Sequence, residues 1–246
     1  MNVSQILWRA VSRSKNTFAV ILIAYIAIVL VLRTLLGDQK SMASVSSAGT
    51  DVSKNASRLA DIMAYNLVSL AFALYCGRLG VLAWYGEAAA ETTGSALHRM
   101  YCHSPAVEWL CVVTTAYELY NCISTALYPE YRTVAFIGHH VTTLTLGVLT
   151  FHPWCHYYSI FFFGVATVSS VPLCLGEILD SCGVTGLAVA VTKGVFALLF
   201  LAIRTCYWPY VSCACSPRAA RAAAAMPSYV SVHPPLRQYE RATAQL

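Results

Sequence analysis

The chain has 246 residues, 58% hydrophobic and 11% charged, with a formal net charge of +5 and a mean hydropathy of +0.60. Soluble domains carry roughly 25% charged residues, so the polar surface of a water-soluble fold is missing, and the chain is too apolar for disorder. Its ten Cys fall mostly inside apolar runs, unlike a disulfide scaffold, and its scattered or terminal Lys and Arg form no basic face for nucleic acid.

An all-α membrane protein remains, with room for six or seven spans at ~20 residues each. Residues 1–16 read as a cytosolic N-terminal segment: Arg9, Arg13 and Lys15 precede the first apolar run, and no acid occurs before Asp38. The first transmembrane helix is expected at 17–36, with Arg33 near one end, where it can snorkel. A basic, acid-free leader also has the look of a mitochondrial targeting segment. A cleaved signal peptide fits less well, because the apolar stretch is long. Residues 37–58 read as a polar, Ser-rich loop. The sequons at Asn2 and Asn55 read as chance matches, one on the wrong side and one abutting the second span.

The second span is expected at about 59–85 and carries Asp61, Asn66 and Arg78. The third, 106–128, carries Glu108, Glu118 and Asn121, and the fourth, 134–151, carries His139 and His140 side by side. The fifth, 156–179, has Thr167, Ser169, Ser170 and a kinking Pro172 near its middle. The sixth, 187–210, has Lys193 near its start and Arg204 toward its end. Residues 213–246 read as a disordered basic tail. Cys213 and Cys215 are a juxtamembrane pair, open to S-palmitoylation or idle. Six spans with basic ends place both termini on the cytosolic side.

Ionisable groups at membrane depth are costly and mark function or a buried partner. The sharpest cluster is Glu118 with His139 and His140. The short 129–133 connection makes spans three and four antiparallel neighbours, with Glu118 about 16 Å and His140 about 10 Å from it at ~1.5 Å per residue, an offset that long side chains could nearly close. Adjacent His on a helix point about 100° apart, so one faces the bundle interior and the other contacts a neighbouring helix. General acid–base or nucleophilic chemistry fits, with Glu118 orienting a His. So does a hydrogen-bonded seam between helices. A metal site wants three or four ligands, which these residues do not supply, and no cofactor is expected.

The order Tyr117-Glu118-Leu119-Tyr120, Gly138-His139-His140, Ser169-Ser170-Val171-Pro172, then Phe196 to Phe200 with Arg204 and Pro209, resembles the TLC domain. This is the TRAM, Lag and Cln type of membrane domain. The resemblance implies a six-transmembrane-helix bundle of TLC type over about 56–212, close to the smaller members. It also implies residence in the endoplasmic reticulum and a part in ceramide synthesis, lipid homeostasis, cargo export or translocation. In the ceramide synthases the His pair works with acids on the next helix. Here that stretch reads Thr167-Val-Ser-Ser170, and the Glu and Asn usual around the fifth-span Pro are replaced by Val168 and Leu175. The resemblance therefore favours a lipid binder, sensor or cargo escort in membrane lipid homeostasis. The alternative is a sphingoid-base N-acyltransferase using acyl-CoA, with His139, His140 and Glu118 as its catalytic set. The expected lipid contacts are Glu118, Asn121, His139, His140, Thr167, Ser170 and Arg204. The expected partners are the bilayer, a ceramide, sphingoid base or acyl chain, and a membrane protein.

Overall fold

The computed structural model describes residues 2–43, 49–86, 105–152 and 156–214. Nearly all of them belong to six helices: α1 Val3–Ala43, α2 Gly49–Tyr85, α3 Pro105–Leu127, α4 Val134–Leu149, α5 His156–Ser181 and α6 over 187–214. No strand occurs among the described residues. The protein is an all-α membrane protein. Stretches of α1, α2, α5 and α6 are long and apolar enough to cross a bilayer, and α4 is a shorter apolar helix. The more polar α3 is packed against α1, α2, α4 and α5.

Two boundaries differ from the sequence reading. Residues 3–16 continue the first span as helix. Asn2 and Gln5 form a reciprocal cap: the Gln5 N–H donates to Asn2 Oδ1 at 2.9 Å, and the Asn2 N–H donates to Gln5 Oε1 at 3.1 Å. The first turns then pack Ile6 and Ala10 against Val112 and Phe151, and Arg13 pairs with Glu108 at 2.8 Å. The expected loop at 37–58 is helical at both ends, since α1 runs to Ala43 and α2 starts at Gly49. No Pro interrupts the sequence of this stretch, and polar residues alone do not end a helix. Residues 44–48 lie outside the described residues. So do the tail beyond Ala214, Cys215 included, and the side chains of Asn55 and Cys213.

Successive helices run antiparallel. Arg33 meets Asp61 at 2.8 Å where α1 gives way to α2. At the opposite end of the bundle Trp84 packs on Tyr157 and Phe161. The start of α1 and the end of α6 share that second end, where Val211 joins Val107 and Tyr157 in the core. The α3–α4 connection holds a single 3-10 turn, Pro129–Tyr131, after which Thr133 caps α4 by accepting from the Phe136 N–H at 3.2 Å. The Arg58 side chain, hydrogen-bonded to Glu130 at 2.5 Å, holds that carboxyl below the usual carboxylate range. Gly183, at φ 73°, ends α5: its N–H donates to the Asp180 carbonyl and the Val184 N–H to that of Leu179.

α2 and α5 cross at backbone contact. A Cβ on Gly80 would lie 2.2 Å from the Gly164 Cα, and one on Gly164 would lie 2.3 Å from the Gly80 Cα. Small residues at such crossings let transmembrane backbones approach and gain packing. Leu110, Cys111, Tyr158 and Phe161 fill the core beside the crossing. Neither α5 nor α6 is regular. α5 widens to π geometry over Ile160–Gly164 and tightens to 3-10 over Val165–Ser169. α6 is a π helix over Phe200–Tyr207. Pro172 has no N–H and crowds the carbonyl four residues earlier, at Val168; Pro209 does the same to Thr205. The expected disturbance at Pro172 is therefore present, but it lies on the turns preceding the Pro. Such π turns recur at functional sites.

Candidate functional site

Side chains from α2 to α6 enclose a cavity of about 440 Å³. Close α3–α4 packing sets its polar centre. A Cβ on Gly147 would lie 2.7 Å from Thr115 Oγ1, and that approach brings the last turn of α4 against mid-α3. His140 Nδ1 and Glu118 Oε2 are 2.6 Å apart, and both residues are about 5% exposed (6% and 5%). With the carboxylate ionised, Nδ1–H donates to Glu118, which leaves Nε2 to act on something else. That Nε2 is buried without a hydrogen-bond partner among the described residues. Phe136 holds the ring edge-on, with centroids 4.6 Å apart.

His139 takes the other direction. It is exposed, lines the rim of the cavity, and sits 5.1 Å from the His140 ring, centroid to centroid. The division of the pair into one interior and one rim histidine follows from the 100° step between neighbours on a helix.

The irregular backbone of α5 supplies the opposite wall. The Thr167 hydroxyl donates to the Phe163 carbonyl at 2.9 Å, and that of Ser169 donates to Ala166 at 2.8 Å. Arg204, on the π segment of α6, reaches the same turn. Its Nε donates to Ser169 Oγ at 3.2 Å, and its Nη2 donates to the Ala166 carbonyl at 3.3 Å and Ser170 Oγ at 3.5 Å. The Phe200 ring lies 5.7 Å from the guanidinium. Among the described residues Arg204 has no ion-pair partner.

Six of the seven expected contact residues thus line one cavity: Glu118, His139, His140, Thr167, Ser170 and Arg204. Asn121 does not. It is fully buried on the next turn of α3, beside Tyr117. The sequence reading missed the α2 wall, Ser69, Phe72 and Ala73, together with Thr114, Cys174 and Trp208. Thr114 was within reach, because it precedes Glu118 by four residues and so shares its helix face. The α2 residues carry no such signal.

The TLC domain model matches residues 63–236, more than half of the chain. The chain belongs to the TLC-domain family. The match starts inside α2 and continues past residue 212, where the sequence reading ended the domain, into residues outside the described set. No curated protein and no solved structure matches the chain. In this TLC domain the Glu–His pair, the rim histidine and the arginine come from α3, α4 and α6, and they converge on one apolar-walled space.

Proposed function

We propose that this TLC-domain protein holds a membrane lipid in the cavity between α2 and α6. The bound molecule is a ceramide, a sphingoid base or another acyl-chain lipid. On this reading the protein serves lipid homeostasis in the endoplasmic reticulum as a binder, sensor or cargo escort. The carrying observation is the cavity itself. Its volume falls in the range of roughly 300–1,000 Å³ usual for small-molecule sites. Phe72, Leu146, Phe162 and Trp208 give it apolar walls around a few convergent polar groups. Leu146 and Leu149 line the cavity and are also nearly half exposed at 46% each. Lipid therefore has a sideways approach past α4. Thr167 and Ser170 stand where a ceramide synthase has acids, which supports binding over acyl transfer.

Thr143→Trp fills the cavity from α4, where Thr143 is half-buried. The purified wild type is expected to carry a stoichiometric lipid detected by mass spectrometry. The variant is expected to lose at least about nine-tenths of it while keeping its thermal midpoint. Equal lipid in both proteins would remove the cavity from consideration.

A second reading is favoured by the unpartnered His140 Nε2, aligned through Nδ1 by Glu118. This is the arrangement of a general base with its orienting carboxylate. As a sphingoid amine attacked the thioester carbonyl of an acyl-CoA, Nε2 would take the amine proton. The carbon–sulfur bond would break and coenzyme A would leave as the thiolate. The expected result with purified protein, sphingoid base and acyl-CoA is no ceramide above background. Turnover that vanishes in His140→Ala would install the acyltransferase reading instead.

A further inference from the structure

We infer that the cavity selects a lipid with an anionic head, a carboxylate or a phosphate monoester, and that Arg204 binds it. This rests on the cavity being a lipid site. It deepens that reading by naming the class of lipid.

A guanidinium taken out of water is stabilised only when its charge is matched as well as its hydrogen bonds. Arg204 has the second, but of the first only the through-space attraction of Glu118, with which it makes no ion pair. Nε and Nη2 are held by Ser169, Ser170 and the Ala166 carbonyl, all of them neutral oxygens. Those bonds fix one edge of the fork against α5. Nη1 makes no hydrogen bond among the described residues, so the second edge is left open. Glu118 is the one carboxylate among the described residues lining the cavity, and its Oε2 is already engaged by His140 Nδ1.

Two polar groups therefore face one apolar-walled space with capacity to spare. The Arg204 fork is rigid, planar and always charged, and it suits a carboxylate or phosphate better than a hydroxyl. The second group is the buried, unpartnered His140 Nε2. An alcohol or amide head would offer hydrogen bonds to both but leave the Arg204 charge unmatched. Ser170, one of the two serines that anchor Arg204, stands with Thr167 in place of fifth-span acids. A carboxylate there would pair with the arginine and cancel its pull on an anion. Their replacement by hydroxyls frees the charge for a ligand.

The test compares heads on one chain. Full-length protein in phosphatidylcholine nanodiscs is titrated separately with radiolabelled oleate, oleoyl lysophosphatidate and oleyl alcohol, and inorganic phosphate is added as a competitor. Oleate and lysophosphatidate are expected to bind at least about tenfold more tightly than the alcohol. Arg204→Gln is expected to erase that gap while leaving alcohol binding intact, and Arg204→Lys is expected to keep most of it. Retained alcohol binding and a monodisperse elution profile certify the fold of the Gln variant. Should that variant fail to fold, the wild-type comparison of heads and the Lys variant decide the question. Equal affinity of all three heads in the wild type would overturn the inference, as would an undiminished gap in Arg204→Gln. Displacement of oleate by inorganic phosphate at comparable affinity would also overturn it, because it would mark a small-anion site with no use for the chain. Saturable binding of none of the three lipids would instead sink the lipid-site reading beneath it.

Discussion

Gly80→Ala is expected to be the most damaging single-methyl change in the protein. The added carbon would fall 2.2 Å from the Gly164 Cα and 2.4 Å from its carbonyl carbon. Both are backbone atoms, so no side chain can rotate away and the two helices must part. Overpacking costs typically 1–3 kcal/mol, and with no soft neighbour the upper end, about 3 kcal/mol, applies. For a chain of this size that lowers the unfolding midpoint by roughly 6–12 °C. Gly77→Ala, one turn away, meets the Val168 Cγ2 methyl at 3.1 Å, which can yield, and should cost far less. Gly194, with nothing within 4 Å of its would-be Cβ, is the neutral control. Thermal unfolding of the three variants in one detergent checks the order. A Gly80 variant as stable as the Gly194 variant would contradict the crossing.

Breaking the Glu118–His140 pair is expected to come next. Removing one member of a buried, hydrogen-bonded pair costs about 3–5 kcal/mol, because the survivor stays buried and unmatched. Glu118→Ala should fall in that range. Glu118→Gln, which keeps a hydrogen-bonding atom of similar reach, should lose much less. The decisive measurement is the double-mutant cycle. Removing both side chains leaves no stranded partner, so Glu118→Ala with His140→Ala should be more stable than the sum of the singles implies, by about 2 kcal/mol. Additive losses would mean that the two groups do not act as a pair.

The spans were legible because apolar length is written directly in the sequence. Runs ending near Leu36 and Tyr85, and the later ones over 134–149, 156–181 and 187–211, reappear as helix with modest boundary shifts. The early start of α1 was also written there, in the Asn2–Gln5 cap, but the basic segment behind it was read for charge alone. Glu118 and His140 could be brought close to side-chain reach because the short Pro129–Thr133 connection fixes the register of α3 against α4. Asn121 shows the limit. It lies three residues from Glu118 on a neighbouring face of the same helix, yet it is fully buried and does not line the cavity. Where a cavity stops is a property of packing between elements. For the same reason Ser69 and Ala73 on α2 were invisible: nothing local distinguishes them from other small residues at a helix interface. The π and 3-10 turns of α5 fall between these cases. Pro172 announces a disturbance, but the contact of Gly164 with Gly80, a tertiary fact, coincides with the end of its π segment.

The brevity of α4 has a consequence for the bilayer itself. Its 16 residues rise only about 24 Å, against a hydrocarbon core of about 30 Å. Lipids facing a short wall thin the membrane locally or let their head groups dip to meet the helix ends. α4 is also the helix whose outward residues border the cavity, so the deformation is concentrated where a ligand would enter. A head group drawn inward there has less hydrocarbon to cross before it reaches His139. The affinity of the site should then depend on the acyl length of the surrounding lipid as well as on the ligand, with thicker membranes pressing harder on the entrance.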